Sequence, residues 1–282
     1  MKLPTIYSTL KSKISEATRS ISLSFKTRQY EKDFAGIHTY CIFIGYPRSG
    51  HSLVGSLLDA HPNIIIAHEL DALSYIKQGI NQKQLFYLLL ENSKRFTEQG
   101  RIWGEYSYLV SNQWNGRYQE LRVIGDKKGG KTSKKLIKEP ELFNQLIETV
   151  AVPVKMIHVM RNPFDTISTM SKKSFAGNLS RAINSYFQIC GVVNSFKAKV
   201  DQQNWFDMRH EDLIQTPEST LRRLYNFLGE EPSADLLQDG ASLIYKSPHK
   251  SRYDAPWTSS LINMVEEEIA KYVFLEEYRY DN

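Results

Sequence analysis

Gly45-Tyr46-Pro47-Arg48-Ser49-Gly50 is a glycine-bounded hexapeptide that carries one arginine and one serine, with Ser52 just beyond it. An apolar run, Tyr40 to Ile44, precedes it. His51 to Ala60 follows, with Leu53, Val54, Leu57 and Leu58 at helical spacing. Strand, glycine loop and helix in that order aim backbone N–H groups and a helix N-terminus at an anion. The residue types suit a phosphate: Arg48 supplies charge, and Ser49, Gly50, His51 and Ser52 offer N–H groups. A second apolar run, Asn63 to Ala67, leads to Glu69, a carboxylate at the end of the returning strand that could take a proton. For that work its pKa would have to rise, through burial beside Ile65 and Ile66. His68 is the competing base, although neighbours on a strand face opposite ways.

A complete G-x-x-x-x-G-K-T match also occurs, at Gly125 to Thr132, and taken alone it reads as a P-loop kinase. Its surroundings argue against it. A working phosphate loop needs a buried strand before it and a packed helix after it. The strand here, Leu121 to Ile124, is short and contains Arg122; the continuation, Ser133 to Lys138, is polar and stopped by Pro140. The loop at Gly45 has both flanks but has His51 where the lysine would stand. No apolar strand ends in an aspartate that could organise Mg²⁺; the best candidate, Val154 to Met160, ends on Arg161. The histidines and cysteines show no metal-ligand spacing, so no metal is expected.

The elements that must position these groups alternate strand and helix along the chain. That pattern predicts an α/β fold, a P-loop-like three-layer sandwich with a central, mainly parallel sheet flanked by helices. Asn81 caps a helix over the apolar run Leu85 to Leu90, and Trp103 to Tyr118 is an aromatic loop region suited to lining an acceptor pocket. Asn162-Pro163 opens a helix over Phe164 to Lys173, and Thr216-Pro217 opens another that Gly229 closes. Glu69, Lys127 and Arg161 then fall at or just beyond the C-terminal ends of predicted strands, the edge where parallel sheets bind ligands.

The chain has 282 residues, 41% hydrophobic and 24% charged, with a net charge of +5. This composition fits a peripheral arm over 1–36 and a single domain over 37–282. Between Arg122 and Lys138 stand seven Lys or Arg against one acid, Asp126, which reads as a solvated face or as a polyanion site. The basic stretch lacks the clustered aromatics of a single-strand platform, so nucleic acid is not the expected partner. No run is long enough for a transmembrane helix, and the N-terminus has no secretory apolar core. Only Cys41 and Cys190 occur, and Cys41 lies in a predicted buried strand. A reducing, cytoplasmic setting fits.

GYPRSGHSLVGSLLDAHP resembles the 5′-phosphosulfate loop of sulfotransferases that use 3′-phosphoadenylyl sulfate (PAPS), with Pro-Arg-Ser-Gly and Leu-Asp-Ala-His-Pro as in the tyrosylprotein sulfotransferase branch. The resemblance implies Glu69 as catalytic base, Arg48 and Lys127 as catalytic cations, and PAPS bound by Arg48, Ser49, Gly50, His51 and Ser52. VMRNPFDTISTM resembles the 3′-phosphate motif, which implies Arg161 and Thr169, or neighbouring Ser168, as its ligands. Gly125-Asp126-Lys127 resembles the branch's lysine segment, with Lys128 and Lys131 near enough to substitute. Arg209 to Leu213 resembles a strand-helix of structural value. The implied products are adenosine 3′,5′-bisphosphate (PAP) and a sulfated small molecule, glycan or peptide.

Overall fold

The computed structural model describes residues 23–282, so most of the predicted N-terminal arm lies outside the described residues. The helix α1 (Glu31–Ala35) is part of the packed body, because Phe34 is buried edge-on against Phe86 with ring centroids 5.8 Å apart. The first strand, β1 (Thr39–Gly45), is buried at all seven positions, as a strand covered on both faces must be. Its side chains alternate: Tyr40, Ile42 and Ile44 join one core cluster, Cys41 and Phe43 the other.

The chain continues through α2 (His51–Leu58), β2 (Ile64–His68), α3 (Ala72–Lys77) and α4 (Gln82–Glu98). Asn81 caps α4 as expected: its side chain accepts from the Gln84 N–H, and the Gln84 side chain returns a bond to the Asn81 N–H. A small hairpin follows, β3 (Ile102–Trp103) with β4 (Tyr106–Ser107). Then come β5 (Val123–Lys127), α5 (Gly129–Lys138), α6 (Leu142–Val150) and β6 (Val154–Met160). The helices α7 (Pro163–Ser174) and α8 (Leu179–Lys197) lead to β7 (Trp205–Arg209). The chain closes with α9 (His210–Gln215), α10 (Pro217–Leu228), α11 (Ala234–Ser242) and α12 (Ser259–Ile269).

The main sheet has the order β2-β5-β1-β6-β7, and every pairing in it is parallel. One core lies between the sheet and α4, α7 and α8; the other lies between it and α2, α10 and α11. This is the expected three-layer sandwich.

Two readings need correction. The strand before the kinase-like motif does not end at Ile124; it runs from Val123 through Lys127, paired with β1 on one side and β2 on the other. The polar stretch after it is the well-formed helix α5, which packs on β1 with Thr132, Ser133 and Leu136 buried. The physical case against a phosphate loop is therefore different from the one read in the sequence. Residues 125–127 are extended strand with neighbours on both sides, and Lys128 alone separates them from α5, so no loop exists to wrap a phosphate.

Candidate active site

All five strands of the main sheet end on one edge, which collects Gly45, Glu69, Lys127, Arg161 and His210. The phosphate-type loop begins where β1 stops. Tyr46 is buried and stacked on Tyr186 with centroids 4.2 Å apart, which pins the loop's first residue to the core. Gly50 caps α2 at φ +99°, a conformation that favours glycine, and a Cβ there would lie 2.6 Å from the His210 ring. Among the described residues, the N–H groups of Gly50, His51 and Ser52 meet no acceptor, as the first turn of a helix leaves them. Arg48 is exposed at φ +71°, with no hydrogen bond or ion pair among the described residues.

The loop's side chains divide into two groups. Ser49 is fully buried, and its Oγ bonds to the Tyr46 carbonyl at 3.0 Å and to His51 Nδ1 at 3.2 Å. His51 points inward too, with Nε2 3.2 Å from the Ile44 carbonyl. Burial, reinforced by Lys127, lowers its pKa to about 3, so the ring is neutral. His51 is thus a packing wedge in the lysine position of a nucleotide loop, and only its N–H, in the first turn of α2, is left without an acceptor among the described residues. Ser52 is the loop hydroxyl that looks outward, accepting from Lys127 Nζ at 2.9 Å.

The wedge also explains the two glycines of the kinase-like match. A Cβ on Gly129 would lie 2.4 Å from His51 Nδ1, and one on Gly130 would lie 2.7 Å from the Pro47 ring. These glycines let α5 press against the first loop, where Ser133 Oγ donates to the Gly45 carbonyl at 2.8 Å and accepts from its N–H at 2.9 Å. Gly130→Ala is accordingly expected to cost about 1–3 kcal/mol by overpacking and to weaken anion binding in the loop. Unchanged urea stability and unchanged bisphosphate affinity in that variant would refute the contact.

Glu69 follows β2 at φ +62°, a conformation that costs a non-glycine residue energy and that recurs at functional sites. The turn is held by Asp126, whose buried carboxylate accepts from the Leu70 N–H at 3.1 Å and the Ala72 N–H at 2.8 Å. Glu69 Oε1 accepts from Lys127 Nζ at 2.8 Å, and Oε2 lies 2.6 Å from Lys128 Nζ. Both lysines near this site therefore engage the same carboxylate. The expected rise in the Glu69 pKa does not occur. Burial pushes it up, but the Lys127 and Lys128 ammonium groups outweigh burial and lower it to about 2. The stem of Lys127 crosses α2 at Gly55, where a Cβ would meet its Cγ at 2.8 Å. His68 faces away from this cluster, stacked on Phe96 at 3.9 Å.

The basic stretch 122–138 is not a uniform polyanion face. Arg122 pairs with Glu120, Lys127 and Lys128 with Glu69, and Lys131 and Lys135 with Asp71.

Arg161 lies just beyond β6. One of its Nη atoms donates to the His249 carbonyl, Asp165 is 3.8 Å away, and its buried Nε has no partner among the described residues. Asn162 caps α7 by accepting from the Phe164 N–H at 3.0 Å. Ser168 and Thr169 part company. Ser168 is buried, with its Oγ donating to the Phe164 carbonyl and accepting from Trp257 Nε1 at 2.9 Å. Thr169 is half-buried and 3.3 Å from Ser251 Oγ, so it is the one with a hydroxyl near the surface.

Two site residues were not singled out in the sequence. His210 sits against Gly50 with its buried Nδ1 unpartnered, and burial, with Arg161 nearby, lowers its pKa to about 4. The strand-edge rule applied to β7 would have flagged it. The Tyr108 hydroxyl reaches Ser52 and the field of Arg48; no spacing in its aromatic loop signals that. His61 and His158 are held by the fold: His61 bonds to the Glu231 carbonyl and the Asn63 N–H, and His158 Nδ1 bonds to Asp207 at 2.8 Å. Among the described residues, no group of three or more His, Cys, Asp or Glu is set to hold a metal ion.

The sequence profile of the sulfotransferase family matches residues 42–234, more than half of the chain. The omega-hydroxy-beta-dihydromenaquinone-9 sulfotransferase Stf3 of Mycobacterium bovis is 28% identical over 88 residues, a stretch that spans 27% of this chain and 23% of that protein. Sulfotransferase STF9 from Mycobacterium avium superposes with a TM-score of 0.50 at 11% identity, over 89% of this chain and 80% of that one. Mouse sulfotransferase SULT7A1, complexed with PAP, gives a looser TM-score of 0.42 at 13% identity, over 79% of this chain and 67% of that one.

Proposed function

Because this chain belongs to the sulfotransferase family, we propose that it transfers a sulfuryl group from PAPS to a hydroxyl or amine of an acceptor, with Glu69 taking the acceptor proton. The observation that carries this reading is the Ser52–Lys127–Glu69 cluster beside a loop whose N–H groups are free. The donor fits the residues present: unpartnered N–H groups at Gly50, His51 and Ser52 on one side, and the orphaned Arg161 Nε on the other. When bound, PAPS supplies an activated sulfuryl group on its 5′-phosphate.

In this reading Arg48 and the loop N–H groups grip the 5′ end, while Arg161 and Thr169 take the 3′-phosphate. Arg161 acts through a two-pronged guanidinium, whereas Lys127 acts as a point charge. The acceptor oxygen bonds to sulfur as the S–O bond to the 5′-phosphate breaks, and the acceptor proton passes to Glu69. Lys127 and Ser52 stand where negative charge would build on the departing oxygen. As Lys127 turns to that oxygen, Glu69 loses one of the two lysines that hold its pKa down and becomes a better base. Positioning and fixed charge supply most of the rate in this scheme. The buried free thiols of Cys41 and Cys190 support a reducing, cytoplasmic setting. Among the described residues no helix is long and apolar enough to cross a membrane.

Isothermal titration with PAP tests the donor assignment. Arg161→Ala is expected to weaken PAP binding by about 10–100-fold, the worth of one charge-assisted contact. Tight ATP–Mg²⁺ binding that depends on Lys131 would overturn the reading in favour of a kinase.

A further inference from the structure

Glu69 stands in a turn that its own residues do not hold. Glu69 and Asp71 both have positive φ, +62° and +69°, so the chain between β2 and α3 takes two strained steps close together. Such a conformation persists only where the surroundings enforce it. Asp71, at the start of α3, makes no cap bond with its side chain, which is turned to Ser74 and Lys135. The bracket comes from another strand. The Leu70 N–H donates to one oxygen of Asp126 at 3.1 Å, and the Ala72 N–H donates to the other at 2.8 Å.

Asp126 lies inside β5, with Ile42 of β1 and Ala67 of β2 as its register partners, and it is 2% exposed. Its neighbour Lys127 turns its ammonium to Ser52 and Glu69 instead. A buried carboxylate placed this way costs stability. What it offers in return is geometric. An ionised carboxylate accepts at both oxygens, whereas a carboxylic acid or an amide keeps one good acceptor and turns a donor to the other side. Only the charged form can hold both N–H groups.

We propose that Asp126 is a positioning residue of the transfer reaction: as a carboxylate it brackets the Leu70 and Ala72 N–H groups and so holds Glu69 in place, and on taking a proton it releases one of them and loosens the turn. This rests on the sulfuryl-transfer reading. The surroundings set where that proton binds. Burial above all pushes the Asp126 pKa up to about 6, helped by the Glu69 charge, against the pull of the two N–H groups and Lys127. Tyr40 and Cys41 feel its charge from β1, but burial pushes both of them up, away from the neutral range. Asp71 is paired with Lys135, and Lys128 with Glu69. Glu69 itself, with its pKa at about 2, stays ionised in the free protein. Folding raises the Asp126 pKa above the unfolded value near ~3.9. Stability from the protonated form is therefore present at low pH and lost as pH rises through about 6. A charge kept at that expense beside a proposed base is the pattern of a reaction site.

Two readouts test this. In proton–nitrogen NMR, the Leu70 and Ala72 amide signals of the unaltered protein should shift together on acidification, with a midpoint near 6. Cleavage of labelled PAPS at saturation, with naphthol added as a probe acceptor, should fall along the same curve by about tenfold. Asp126→Asn copies the protonated form. In it both amide titrations should vanish, and cleavage should stay at the unaltered protein's acid level across the range, with PAP affinity unchanged. A bracket that serves the fold alone would lower the urea midpoint of Asp126→Asn and leave the pH profile of cleavage as it was. That result overturns the proposal, as does an amide titration that survives the substitution. Absence of PAP binding or of PAPS cleavage in the unaltered protein overturns the sulfuryl-transfer reading, and the amide titrations, which need no PAPS, show that failure to be separate from this one.

Discussion

Glu69→Gln is expected to lower turnover by about 10²–10⁴-fold, the usual worth of a general base, and to leave PAP affinity nearly unchanged. Glutamine keeps the shape of the side chain and can still accept from Lys127 Nζ, which is 2.8 Å from Oε1 in the native protein. What it loses is the ability to take a proton. The measurement is single-turnover sulfuryl transfer alongside PAP titration. Undiminished turnover would remove Glu69 from the role and pass it to water or to His68, whose stacking on Phe96 would then have to break. The pH dependence carries a further sign. With its pKa at about 2, Glu69 is ionised in the free protein throughout the neutral range. Folding lowers that pKa, so the Lys127–Glu69 pair contributes stability above the unfolded value near ~4.3 and loses it as pH falls toward the folded one.

Arg101→Leu should be the most damaging change outside the Ser52–Lys127–Glu69 cluster, costing about 3–5 kcal/mol of stability. Asp59 is fully buried at the end of α2, where it accepts from the Ile66 N–H at 2.6 Å, Ser93 Oγ at 2.7 Å and Arg101 Nη1 at 2.6 Å. Removing Arg101 leaves that carboxylate buried without its cation. Burial already raises the Asp59 pKa, and Arg101 is the main influence pulling it down. The variant would therefore bind a proton on folding. Its deficit should be smallest near pH 4 and grow as pH rises above the unfolded value near ~3.9. Urea unfolding at several pH values reads this directly, and a deficit that does not change with pH would remove the buried charge as its cause. Replacing Asp59 as well, in Asp59→Leu/Arg101→Leu, should recover part of the loss, because a buried apolar pair has no charge to desolvate. The same network fixes the root of the hairpin, so the single variant should also disturb the β3–β4 hairpin.

Much of the site was legible because its signals are local. The order of apolar run, glycine loop and amphipathic run needs only neighbouring residues to be read, and β1, the loop and α2 follow it. Asn81 and Asn162 cap their helices through bonds to residues three and two positions on, so the chain announces both starts. The kinase-like match is not favoured, but for a different physical reason from the one its sequence surroundings offer. Ser133 to Lys138 looked too polar for a packed helix because its buried side, Thr132, Ser133 and Leu136, is made largely of hydroxyls rather than aliphatic groups.

By itself, the sequence determined the α/β class, the phosphate-type loop, and the set of strand ends at which Glu69, Lys127 and Arg161 stand, since alternation and glycine placement are properties of adjacent residues. The tertiary structure alone decided how those groups are tuned. Two lysines from β5 and the start of α5 reach Glu69 across the sheet and reverse the expected effect of burial on its pKa. Gly129 and Gly130 turn out to serve the loop of Gly45 rather than one of their own, because contact distance and not motif spelling sets what a glycine is for. His210 and Tyr108 join the site from far along the chain, through strand order and a hairpin root that no local pattern encodes.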